Sequence, residues 1–99
     1  MGSGQSHSAQ FEYVGNGGSA AQQFKPGFEP KYAEIRSLEG CVKMAFEKEE
    51  LPWKSDAAGA VSQLAAADLS IVEDFGVQVD GSDDALNKAA TDYILMVWA

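Results

Sequence analysis

The stretch from Pro30 to Pro52 constrains this chain most. Between the two prolines, apolar residues recur as Tyr32, Ile35, Leu38, Cys41, Val42, Ala45 and Phe46. Steps of three and four match one stripe of an amphipathic helix. Charges fill the gaps: Lys31, Glu34, Arg36, Glu39, Lys43, Glu47 and Lys48. Proline suits the first turn of a helix and also stops one, so the spacing predicts a helix over 31–50. Gly40 falls inside it, where glycine is about 1 kcal/mol worse than alanine, and marks a place where another backbone comes close.

Two more helices follow from the same logic. Ser55-Asp56 can cap a helix start. Val61, Leu64, Ala65, Asp68, Ile71 or Val72, and Phe75 then fall on one stripe of an alanine-rich segment, which predicts a helix over 56–75. Asp68 interrupts that stripe, and Ile71-Val72 is compatible with a break there. Gly76 reads as a helix C-terminal glycine. Ser82 reads as the N-cap of a third helix over 83–98, with Asp83 and Asp84 at its positive end. Leu86, Ala89, Ala90, Tyr93, Ile94 and Val97 form its buried face, with Met96 at its margin. Leu95 and Trp98 lie on the other side, so its last two turns are apolar nearly all round and need a cover. The expected fold is all-α: a small three-helix bundle spanning 30–99. Strands at 10–14 or 76–79 would be a minor addition.

Residues 1–29 read as an extended, flexible or partner-ordered arm. They hold six glycines and three charged residues, and they carry Phe11, Tyr13, Phe24 and Phe28. Such a segment cannot build a core of its own. Either its rings fold back on the helices as a strap, or they dock into another subunit, where aromatic anchors dominate interface energy. Trp53, just past Pro52, caps the core edge or serves as a further anchor.

Catalytic and metal-binding patterns are hard to assemble from this composition. His7 and Cys41 are the single histidine and cysteine, so an internal disulfide is excluded and a His/Cys metal site has two residues to draw on. Cys41 reads as a small core residue. A Ser–His–Asp arrangement would depend on His7, in the arm. Gly15-Asn16-Gly17-Gly18-Ser19-Ala20 has the loose form G-x-G-x-x-A, but the chain is too short for a dinucleotide-binding sheet, and a turn is the better reading. Asp80 to Asp84 resembles the opening of a calcium loop. Ala85 then stands where that loop needs glycine, and Thr91 where it needs a bidentate glutamate. No catalytic residue, metal or cofactor is expected, and the chain reads as a non-enzyme.

Charge separates the remaining functions. The net charge is −8, of which −7 falls in residues 55–99. An acidic chain is repelled by nucleic acid, which binds through cationic contacts. No apolar run approaches the roughly 20 residues of a membrane span, and no secretory signal is visible, so the reading is intracellular rather than secreted. Gly2, with Ser6 in the serine position, fits the short pattern for N-myristoylation. The leading expectation is a small acidic accessory subunit of a protein assembly, or a homo-oligomer. It docks through Phe11, Tyr13, Phe24, Phe28, Trp53, Leu95 and Trp98. Two alternatives stand beside it: an acidic inhibitor or nucleic-acid mimic covering a basic protein surface, and a peripheral membrane protein lipidated at Gly2.

Overall fold

The computed structural model describes residues 7–46 and 51–99. Its framework is β, not α. Strands β1 (Ser8–Val14), β2 (Gln22–Phe24), β3 (Tyr32–Ser37), β4 (Gly40–Ala45), β5 (Trp53–Asp56), β6 (Val61–Gln63), β7 (Leu69–Val72), β8 (Gly76–Val79) and β9 (Asp92–Trp98) are joined by one short helix, α1 (Asp84–Asn87). A six-stranded sheet runs β1-β9-β3-β4-β5-β6, and a three-stranded sheet runs β2-β8-β7. Every pairing is antiparallel. The sheets form a small sandwich whose core joins Tyr13, Ile35, Val42, Tyr93, Leu95 and Val97 of the large sheet to Leu69, Val77 and Val79 of the small one and Leu86 of α1.

The expected helix over 31–50 is instead the β3–β4 hairpin, with residues 47–50 outside the described range. The hairpin itself imitates helical spacing. Ile35 pairs with Val42 across the turn, and two inward residues seven apart in sequence look like two turns of helix. β3 is also buried at Ala33, Glu34 and Ile35 in succession, which erases the period-two signal of a half-buried strand. Gly40 sits at φ +133°, where an added Cβ would collide with the Ser55 carbonyl oxygen. Another backbone does come close there, across a sheet rather than a helix pair.

The expected helix over 56–75 is likewise replaced. Its residues form the end of β5, β6, a 3-10 turn over Ala66–Asp68, β7 and a second 3-10 turn over Glu73–Phe75. Asp68 caps the first of these turns by accepting from the Ala65 N–H at 3.2 Å, so the chain breaks where the stripe was interrupted. The expected helix over 83–98 keeps one turn, α1, capped by Asp83 rather than Ser82. Ala90 then takes φ +60°, and the chain continues as β9. Tyr, Ile, Val and Trp favour a pleated strand once neighbours are available on both sides, and β9 has β1 on one side and β3 on the other. The extended arm of the fold expectation also gives way: β1 pairs with β9 along its length, and β2 joins the small sheet. The short strands anticipated near 10–14 and 76–79 do form, as β1 and β8.

All of the additional layers lie on one side of the large sheet. The small sheet shares its core, and α1 packs on β3, β4 and β5. Tyr13 and Tyr93 project to the same side, where their hydroxyls reach α1. Among the described residues, no further element covers the opposite face of the large sheet.

Candidate interaction face

Register places the residues of this outer face. Trp98, Met96, Ile94 and Asp92 come from β9; Tyr32, Glu34 and Arg36 from β3; Cys41, Lys43 and Ala45 from β4; Trp53 and Ser55 from β5; Val61 and Gln63 from β6. Successive side chains of a strand alternate between faces, so these are the partners of the inward set that builds the core.

At its centre sits a carboxylate that solvent scarcely reaches. The Glu34 side chain is 11% exposed and lies 3.4 Å from the Arg36 guanidinium and 3.7 Å from the Lys43 ammonium. The Tyr32 hydroxyl donates to Glu34 at 3.3 Å. Two cations and a hydroxyl offset the desolvation of one anion, the condition under which a buried charge is tolerated. Burial first, then the Glu34 charge, pushes the Tyr32 hydroxyl up to about 12. The same two causes in the same order raise the Cys41 thiol, which keeps it away from the thiolate form that acts as a nucleophile.

Apolar groups surround this neutralised centre. Trp98 lies 5.5 Å from Tyr32, ring to ring. Trp53 is 44% exposed, Val61 66% and Ile94 38%. A depression of about 200 Å³ runs between β4, β5 and β6, lined by Cys41, Lys43, Trp53 and Val61 among others. A wider cleft of about 600 Å³ opens at the far end of the face, where Val14, Arg36, Leu38, Asp92 and Ile94 meet. Leu38, at the β3–β4 turn, is 94% exposed.

Comparison with family models, with curated proteins and with solved structures finds no match.

The anchors expected from the sequence separate into two groups. Leu95 is fully buried and Tyr13 nearly so; both belong to the core. Phe11 and Phe24 pack against the core with their rings 5.4 Å apart, and Phe28 packs there beside His7. Trp53 and Trp98 do stand on the outer face. Gly2 lies outside the described residues. The sequence reading missed Glu34, Arg36, Lys43 and Met96 as members of one surface. The unbroken apolar run Tyr93-Ile94-Leu95-Met96-Val97-Trp98 was the available signal, since such a run marks a central strand with apolar groups on both faces. The expected calcium look-alike resolves into turn and cap chemistry: Asp80 accepts from Gly81, and Asp83 accepts from Ala85 and from Lys54. Among the described residues no cluster of three or more His, Cys, Asp or Glu has the geometry to hold a metal. No helix among them is long and apolar enough to cross a membrane.

Proposed function

We propose that this protein is a non-enzymatic interaction module, an accessory subunit that docks a protein partner on the outer face of its six-stranded sheet. One observation carries the reading: among the described residues every additional layer covers the same side of the sheet, while Trp53, Val61 and Ile94 stand exposed on the other. Exposed apolar groups sharing one surface, here set around a charge already paired within the chain, are a mark of a protein contact. The paired Glu34 supports it, because its charge is already matched within the chain and does not have to be desolvated anew when the face is covered. The raised thiol of Cys41 supports a binding role over a nucleophilic one. Tryptophan, tyrosine and arginine, the residue types enriched at energetic centres of interfaces, are all present as Trp53, Trp98, Tyr32 and Arg36.

The test is a capture experiment from the native source with matched baits: the full chain and a Trp53→Ser, Ile94→Ser double variant, each at low and high salt. The reading expects a partner that is retained at high salt by the full chain and lost by the variant. A partner held equally by both baits would overturn it. A partner that ignores the substitutions and leaves at high salt would point to the acidic loops, the expected behaviour of an inhibitor of a basic surface.

A further inference from the structure

We infer that β1 is a self-pairing edge: two copies of this chain join their β1 strands antiparallel, about a two-fold axis at Gln10, so that the two six-stranded sheets become one. This edge borders the outer face, since Glu12 and Val14 line its cleft, but the inference rests on the backbone groups of β1 and not on the docking reading.

The first premise is which backbone groups of β1 lack a partner among the described residues. Gly15 N–H donates to the Thr91 carbonyl at 2.8 Å, and Ala99 N–H donates to the His7 carbonyl at 2.9 Å. An antiparallel ladder alternates bonded and non-bonded pairs. The odd-numbered residues of β1 therefore bond to β9, and Ser8, Gln10, Glu12 and Val14 direct their N–H and C=O groups to the outside of the sheet. The Val14 carbonyl is taken by the Gln22 side-chain amide at 3.0 Å. Ser8, Gln10 and Glu12 present a continuous row, and β1 ends the strand order.

The second premise is that this edge lacks the usual protection. Edges are commonly kept apart by brevity, proline, lysine or a bulge. The edge strands β2, β6 and β7 are three or four residues long. β1 has seven, SAQFEYV, with no proline, glycine or lysine. What completes such a row is another extended strand.

The third premise selects the occupant and the register. A two-fold axis at Gln10 sets Gln10 opposite its own copy, Ser8 opposite Glu12 and Phe11 opposite Ala9. Each outward residue then faces another outward residue, and each such pair exchanges two backbone hydrogen bonds. Glu12, the one charged residue of the strand, meets a serine hydroxyl instead of a second carboxylate. On the inner side the half-buried Phe11 ring lies over the small Ala9 side chain. An axis at Glu12 would oppose two like charges, which is destabilising. An axis at Phe11 would oppose two rings and spend one pair on Val14, whose carbonyl is already occupied. Of these three axes, the one at Gln10 makes the strand complementary to itself.

Sedimentation velocity of the purified full chain over a wide concentration series, at low and high salt, tests this. Each copy carries −8, so the dimer should strengthen as salt screens the repulsion, the reverse of binding to a basic partner. Gln10→Pro removes an N–H that β9 does not use, and proline is tolerated on an edge strand where its nitrogen faces outward. It should leave the melting curve of the protomer in place and weaken the dimer by about tenfold or more. Two charge variants read the register independently of any proline effect. Ser8→Lys, opposite Glu12, should tighten the dimer by about twofold or more, and Gln10→Lys, opposite itself, should weaken it. A chain that stays monomeric at every concentration and both salts would overturn the inference. So would a dimer indifferent to all three substitutions.

Discussion

The rings of Tyr13 and Tyr93 stack 5.1 Å apart at 15°, and both hydroxyls reach the same short helix. Tyr13 donates to the Leu86 carbonyl at 2.7 Å; Tyr93 donates to the Asp84 carbonyl and accepts from the Lys88 N–H, each at 2.6 Å. A helix of four residues cannot sustain itself, because nucleation outweighs the few bonds it makes. The two tyrosines, on paired strands β1 and β9, supply the outside partners that fix it. Tyr13→Phe should cost about 1 kcal/mol, and Tyr93→Phe about 2 kcal/mol because it strands a donor and an acceptor together. Urea denaturation of the two single variants and the double variant measures this, and the double should fall short of the sum because the rings touch.

The same residues make the fold sensitive to alkali. Burial, then Tyr93, pushes Tyr13 far above the usual tyrosine range; burial raises Tyr93; and Tyr32 stands at about 12. The hydrogen bond to Asp83, at 2.6 Å, raises Lys54. In each case the fold favours the protonated form. That contribution is complete below about pH 10, where these groups are still protonated in the unfolded chain, and is lost as pH climbs through the higher folded values. The urea midpoint should hold steady from neutral pH to about 9 and decline above 10, with tyrosinate absorbance rising together with unfolding. Tyr13→Phe should shallow the decline.

Asn87 is fully buried, with its side chain engaged at both ends. Its Oδ1 accepts from the Asn16 N–H and the Gln22 amide, and its Nδ2 donates to Asn16 Oδ1 and the Gly81 carbonyl, at 2.8 to 3.2 Å. This one side chain ties the β1–β2 turn to the loop before α1. Asn87→Ala should cost about 3 kcal/mol, since it leaves several part-buried polar groups without a partner. A fall in melting temperature of roughly 10 to 20 °C would register it.

Glu34 should show an asymmetry. Glu34→Gln leaves Arg36 and Lys43, whose side chains are 64% and 57% exposed and free to hydrate, so it should cost less than about 1 kcal/mol. Arg36→Met with Lys43→Met leaves the carboxylate alone in a site that solvent hardly enters, and should cost about 3 kcal/mol. Equal losses from the two changes, by chemical denaturation at neutral pH, would contradict this account of the outer face.

Gly40→Ala combines a left-handed φ with a collision against the Ser55 carbonyl. Neither can be relieved without moving β5 off β4. A loss of about 2 kcal/mol or more is expected, read as a lower urea midpoint.

Several features were legible in the chain alone because they rest on short-range chemistry. The break at Asp68, the turn from Gly15, the close backbone approach at Gly40 and the strands around 10–14 and 76–79 follow from local preference and sterics. The class of the fold was not legible. Ile35 and Val42 face the same core from opposite strands of a hairpin, and in sequence that mirror relation coincides with two helical turns. The run ending at Trp98 suits a buried helix as well as a central strand, and whether it becomes one depends on β1 and β3 arriving on either side. Those strands come from distant parts of the chain, and cross-strand hydrogen bonds over such separations leave no local trace. Which face of the large sheet is covered, and hence which of the expected anchors stay exposed, was decided only when the small sheet and α1 settled on the same side. That outcome depends on the shared burial of Leu69, Val77, Val79 and Leu86 against Tyr13, Ile35 and Val42, a contact no single segment encodes.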